Sequence, residues 1–169
     1  DGNGQIIIVG GRAAPEQDIQ QQGVVTKLDQ SGNILWEKEL KSSFYSFFYD
    51  VQVNASNEII ALGIKETSGM TWEQYLNGST IQIDFCLLKL SAQGDVIWQK
   101  TYGDDRLDVP SKLILKSNGN YVFVGTSEGT SYRKRMFETS PDGTEIRNLT
   151  YGHTSSFALG VAETQDGGL

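Results

Sequence analysis

An all-β architecture of tandem units is what this sequence predicts, on three observations. The first is a recurring strand–turn–strand pattern: Lys27-Leu28-Asp29-Gln30-Ser31-Gly32-Asn33-Ile34-Leu35-Trp36, Lys89-Leu90-Ser91-Ala92-Gln93-Gly94-Asp95-Val96-Ile97-Trp98, and more loosely Glu138-Thr139-Ser140-Pro141-Asp142-Gly143-Thr144-Glu145-Ile146-Arg147. Its turn glycines lie 62 and then 49 residues apart. The second is an apolar run closed by glycine, Gln5-Ile6-Ile7-Ile8-Val9-Gly10, Glu58-Ile59-Ile60-Ala61-Leu62-Gly63 and Asn120-Tyr121-Val122-Phe123-Val124-Gly125, whose last residues are 53 and 62 apart. The third is negative: no window of ten or more residues carries the 3.6-residue periodicity of an amphipathic helix. Self-similarity at such a period is the mark of a repeat fold, because one thin sheet buries its faces only against its neighbours.

The elements follow in order. In a first unit, residues 1–53, Gln5–Val9, Gly23–Leu28, Ile34–Leu40 and Tyr49–Val53 read as strands. A second, 54–115, repeats them as Glu58–Leu62, Ile83–Leu90, Val96–Tyr102 and Lys112–Leu115. A third, 116–169, offers Tyr121–Val124, Arg135–Thr139, Glu145–Tyr151 and Leu159–Ala162. Short strands at regular spacing with turn signals between them are the all-β signature. Ser31-Gly32, Gln93-Gly94 and Asp142-Gly143 mark tight reversals in which glycine supplies a positive φ. The only helical candidate, around Thr71–Leu76, is a single short stretch.

Four-stranded units of about 50 residues in tandem predict a β-propeller-like fold of three four-stranded antiparallel blades. Three blades are fewer than the usual four to eight, so the expectation is a segment of a larger propeller, cut at both ends, with possible self-association through the open end blades. A fourth unit begins at Asp166-Gly167-Gly168-Leu169.

Composition narrows the function classes. A net charge of −7 opposes nucleic acid, which is held by clustered Lys and Arg. The basic run Arg133-Lys134-Arg135 is read as a solvated loop or an edge-strand guard. No run of about 18 apolar residues is present, so no membrane span is expected. The single cysteine, Cys86, rules out an internal disulfide and is expected to be a small buried hydrophobe. With His153 the only imidazole, no Cys/His metal site can be assembled, and a Ser/His/Asp arrangement would have to use that one residue, which sits in a polar loop and is read as a surface residue.

The stretches Asn118-Gly119-Asn120-Tyr121-Val122-Phe123-Val124-Gly125-Thr126-Ser127 and Gly94-Asp95-Val96-Ile97-Trp98-Gln99-Lys100-Thr101-Tyr102-Gly103, the latter preceded by Lys89-Leu90, resemble the tandem propeller-type repeats of secreted and outer-membrane-attached bacterial proteins. The likeness spans the chain and weakens in the third unit, where Arg147 stands in place of Trp. It implies an extracytoplasmic setting (cell surface, periplasm or secreted, lipoproteins included), a binding or display role, and no shared catalytic residues. The tryptophan after the turn also resembles the repeat of pyrroloquinoline-quinone dehydrogenases and related envelope propellers, which would imply a cofactor cage and calcium.

The residues fall accordingly. Gly32, Trp36, Gly94, Trp98, Gly143 and Arg147 are structural repeat positions, with the tryptophans expected to pack between blades and Arg147 to cover apolar surface with its stem. Asp104, Asp105 and Asp108 are the one candidate metal set, for calcium, against a plainer reading as a solvated turn. From Gly63 to Lys89 is 26 residues, against 17 from Gly10 to Lys27 and 13 from Gly125 to Glu138, so the second unit carries an insertion around 68–78. Recognition is commonly added on such loops, and Trp72 and Tyr75 are its candidate partner-binding anchors. The aromatic run Phe44–Tyr49 is expected to pack on the next blade. The expected function is a non-catalytic propeller scaffold or recognition module of the bacterial cell envelope or exterior, binding a protein or glycan through blade-connecting loops without a cofactor. The alternatives are a fragment of a quinoprotein-type oxidoreductase and a structural spacer in a surface assembly.

Overall fold

The computed structural model describes residues 4–13, 21–40, 42, 45–104, 107–128, 131–152 and 155–169, the side chains of Trp72 and Tyr75 excepted. It is an all-β structure of three antiparallel sheets. The first holds β1 (Ile6–Arg12), β2 (Gln22–Leu28) and β3 (Ile34–Leu40) in that order. The second holds β4 (Ser46–Val53), β5 (Ile59–Glu66), β6 (Ile83–Leu90) and β7 (Val96–Tyr102). The third runs β8 (Asp108–Leu115), β9 (Tyr121–Ser127), β10 (Arg133–Thr139) and β11 (Glu145–Tyr151). The sheets are open and do not close on one another into a ring. Among the described residues no helix is long and apolar enough to cross a membrane.

The hairpins are made by one device used repeatedly. In the 29–33, 91–95 and 140–144 turns the amide of the first residue donates to the carbonyl of the fifth, and the amide of the fourth donates back to the carbonyl of the first. The 54–58, 116–120 and 164–168 turns bond identically. The fourth residue takes a positive φ, 87° at Gly32, 89° at Gly94 and 78° at Gly143, and Asn57 takes the same conformation at 61°. Asp29 closes its turn by accepting from the amides of Ser31 and Asn33 at 2.8 and 2.9 Å, and Asn54 does the same for Ser56 and Glu58.

Strand grouping differs from the sequence expectation of three four-stranded blades. Tyr49–Val53 was expected to finish the first unit, but β4 pairs with β5 through that tight 54–58 turn, so it opens the second sheet and leaves the first with three strands. Leu159–Ala162, expected as a strand, pairs with no ladder. The Arg133–Arg135 run is neither loop nor edge, since β10 is flanked by β9 and β11 and Arg135 is buried.

Stacking of the sheets builds the core. Between the first two sheets Val25 and Leu40 meet Phe48, Ile59, Ala61, Cys86, Leu88 and Leu90. Between the second and third, Ile60, Leu62, Phe85, Leu87 and Tyr102 meet Leu113, Tyr121, Phe123 and Phe137. Phe85 stands edge-on to Phe123 and Phe137, which stack on each other at 5.1 Å. The second sheet is thus buried on both faces, which is why Ile59–Ile64 of β5 and Phe85–Leu88 of β6 read as continuous runs instead of alternating ones. Phe48 of the aromatic run lies against Gly23 and Gly63, and Phe47 occupies the space over Gly11. Burial of Cys86 pushes its thiol pKa up to about 12.

Candidate functional site

Antiparallel pairing sends the connections to two opposite ends. One end carries the tight turns just described. The other carries the β1–β2, β5–β6 and β9–β10 loops and the crossings between sheets, and it is here that the units differ.

At the turn end, chemistry is spent on holding sheet to sheet. Trp36 Nε1 donates to the Ala92 carbonyl at 3.3 Å, and the ring lies where a Cβ on Gly94 would approach to 2.9 Å. The Trp98 ring likewise lies 3.1 Å from where a Cβ on Gly143 would stand, and Tyr102 donates its hydroxyl to the Gly143 carbonyl at 2.7 Å. The buried ammonium of Lys27 reaches Ala92 O at 3.0 Å, and that of Lys89 reaches Pro141 O at 3.5 Å while pairing with Glu58 at 2.8 Å. The third unit replaces both members: Glu138 stands for the lysine, Arg147 for the tryptophan, and the two are ion-paired to each other, with Lys116 3.4 Å from the same carboxylate. Asn120, Arg147 and Lys116 hold the Glu138 pKa below the usual carboxylate range.

At the loop end, the insertion folds into one helical turn, α1 (Trp72–Leu76). Thr71 caps it in a reciprocal box, accepting from the Gln74 amide at 3.3 Å while Gln74 Oε1 accepts from the Thr71 amide at 2.9 Å. Gly78 leaves the helix at a φ of 82°. Trp72 and Tyr75 therefore sit on a formed element, although their side chains lie outside the described residues. Beneath the insertion a groove of about 610 Å³ opens between the first two sheets, lined by Ser42, Lys65, Glu66, Thr67, Gln99 and Thr101 among others.

Also at this end a buried charge cluster joins the second and third sheets. Arg135 Nη1 lies 3.1 Å from Asp104, 3.3 Å from Asp108 and 3.4 Å from the Ser127 hydroxyl, and its guanidinium covers the Phe137 ring at 4.9 Å. Asp84 comes from β6, where Thr67 donates to its Oδ2 at 2.9 Å while its buried Oδ1 has no hydrogen-bond partner. Gly103 is what lets these carboxyls meet, because a Cβ there would collide with both Asp84 Oδ1 and Asp108 Oδ2. Burial raises the Asp108 pKa to about 6 and moves Asp84 in the same direction.

Of the candidate calcium set, Asp104 and Asp108 converge, but upon a guanidinium, and Asp105 lies outside the described residues. The positive charge calcium would supply is already supplied by Arg135, so this set does not fit the ion. Among the described residues no three His, Cys, Asp or Glu side chains are placed to hold a metal. His153 and Phe44 lie outside the described residues. Arg135 and Asp84 were missed in the sequence because nothing local marks them. The one available signal was an arginine at an inward position of an apolar strand, which demands a buried partner.

No family model and no curated protein matches the sequence. Among solved structures, a Bacteroides caccae protein of unknown function is similar in fold, with a TM-score of 0.51 and 12% sequence identity over 87% of this chain and 46% of that one. The chain thus spans about half the length of that protein.

Proposed function

We propose that the three sheets are blades of a propeller-like assembly, a segment of a larger one, and that the chain is a non-catalytic scaffold of the bacterial envelope or exterior which recognises a protein or glycan through its loop end. The observation that carries this reading is the distribution of variation. The turns at one end are kept alike and used for packing, whereas the one helix among the described residues and the longest connection lie at the other, on the same side as the groove. A rigid stack with one varied end is how repeat scaffolds present binding surface. Arg135, Asp104 and Asp108 are tied to one another, which suits a structural role for them and leaves recognition to the insertion.

The test compares the parent chain with a Trp72→Ala/Tyr75→Ala double variant on an immobilised glycan array and in capture from bacterial envelope extract. The melting temperature should stay within about 2 °C, because α1 is peripheral, while binding falls at least about tenfold, the cost of removing two aromatic anchors. Equal binding by both chains, or none by the parent, overturns the reading.

A further inference from the structure

At the loop end the two junctions between sheets are built from equivalent positions that carry different chemistry. Ser46 stands opposite Lys65 in its ladder as Asp108 stands opposite Ser127, and Gln22 stands opposite Arg12 as Asp84 stands opposite Lys65. Gln22, Ser42 and Ser46 of the first junction therefore hold the places of Asp84, Asp104 and Asp108 in the second, each 62 residues on. Likewise Lys65 holds the place of Ser127. Cys86, opposite Gly63, holds that of Arg135, opposite Gly125.

Between the second and third sheets this neighbourhood is filled by the Arg135 guanidinium and the carboxylates around it. Between the first and second sheets the three acidic positions are neutral, the arginine position is a small thiol, and the groove of about 610 Å³ opens. A cation is present, but it comes from Lys65, whose ammonium has no hydrogen-bond or ion-pair partner among the described residues. Glu66, the carboxylate that lines the groove beside it, is 2% exposed and already accepts from the Ser68 hydroxyl and the Met70 amide. Asp84, opposite Lys65 in the ladder, accepts instead from the Thr67 hydroxyl at 2.9 Å. The second junction supplies its own anions, whereas the first leaves its cation unanswered.

Hydroxyls and an amide make up the rest of the polar lining. The buried Ser42 Oγ has no hydrogen-bond partner. Its backbone is held by Gln22 from both sides, Nε2 donating to the Ser42 carbonyl at 3.3 Å and Oε1 accepting from the Ser42 amide at 3.0 Å. An unmet hydroxyl on a fixed backbone is ordered before any ligand arrives, so bonding to it costs little further entropy. Gln99 and Thr101, two residues apart on β7, share one face of the strand. Among the described residues no aromatic or large aliphatic side chain lines the groove, which therefore suits a polar ligand. Its volume lies within the about 300–1,000 Å³ of small-molecule sites.

We infer that this groove binds an acidic saccharide, its carboxylate on Lys65 and its ring hydroxyls on Ser42, Gln99 and Thr101. An ammonium among hydroxyls and an amide is matched by an anion that is itself rich in hydroxyls, and a charge-assisted bond to Lys65 supplies the preference for the acid. The inference rests on the reading above only in taking the loop end as the recognising end, and it narrows the glycan of that reading to an acidic one.

The test titrates the full chain, labelled with nitrogen-15, with trigalacturonate, with the neutral maltotriose and with acetate. Trigalacturonate should shift the amides of Lys65, Gln99 and Thr101 and bind at least about tenfold more tightly than either of the others, and the preference should shrink as salt is raised. Lys65→Met should bring the two trimers to equal affinity, while Lys65→Arg keeps the preference. No binding of trigalacturonate at tens of millimolar, equal affinity for maltotriose, acetate binding as tightly as the trimer, or a preference that survives Lys65→Met each overturns the inference. A chain that ignores trigalacturonate yet captures an envelope partner through Trp72 and Tyr75 loses this inference and keeps the reading above. Unchanged trigalacturonate binding by the Trp72→Ala/Tyr75→Ala variant upholds the groove and removes only the insertion as anchor.

Discussion

The two ends of the stacked sheets are built by opposite rules. At the turn end, side chains of one sheet grip the backbone of the next: Trp36 and Lys27 hold the Ala92 carbonyl, and Trp98 and Tyr102 close over Gly143. At the loop end, side chains grip one another where the chain crosses from the second sheet to the third, the guanidinium of Arg135 holding Asp108 of its own sheet and Asp104 of the crossing. A carbonyl in a tight turn is present whatever the sequence, so the first arrangement can recur in every unit. An ion cluster needs every member present at once, and Arg135 stands where the other units have Val24 and Cys86. Repetition is therefore confined to the end where backbone is the partner.

Three changes would break or sharpen that contrast. Arg135→Ala should cost the most, about 3 to 5 kcal/mol of unfolding free energy, because it leaves Asp108 buried without its cation. Arg135→Ala combined with Asp108→Asn should recover much of this in chemical denaturation; no recovery would mean the arginine acts through packing on Phe137 rather than through charge.

Gly94→Val at the turn end should cost about 3 kcal/mol, from a positive φ and a Cβ driven into Trp36. Gly32→Val, with the same φ and open space, should cost about 1 to 2 kcal/mol. Equal losses in thermal melts of the two variants would show that Trp36 yields freely and that the sheet-to-sheet grip is weak.

The smallest effect is one of pH. The Asp108 carboxyl titrates at about 6 in the folded chain, above its ordinary value near 3.8, so the folded state holds the proton more tightly than the unfolded one. Its contribution to stability is complete below the ordinary value and is lost as pH rises through 6. Between pH 7.5 and 5 the parent should gain about 1 kcal/mol that Asp108→Asn does not. At the turn end the sign reverses, since Ser140 and Thr144 lower the Asp142 pKa to about 2, and stability there is lost only in strong acid. A flat profile in the parent between pH 5 and 7.5 would show that Asp108 is not held in a dry site.

How far each feature could be read in advance depended on how local its cause was. The hairpin turns, the burial of Cys86 and the packing role of Trp36 and Trp98 were legible, because a turn glycine and an apolar strand are recognised from their immediate neighbours. The helical insertion showed as extra length between Gly63 and Lys89 and as the short helical candidate around Thr71–Leu76. Arg133-Lys134-Arg135 was misread because charge alone does not say whether a strand is at an edge. The Asp104–Asp108 cluster was seen without its counter-charge, which lies some 30 residues on and belongs to another strand.

What the amino-acid order determined by itself is the β character of the chain, its turn positions and its repeat, since backbone preference and side-chain alternation act within a few residues. Only the tertiary structure decided where one sheet stops and the next begins. β4 follows β3, which is an edge strand, and yet pairs with β5 across the 54–58 turn, so nearness in the sequence does not assign it to a sheet.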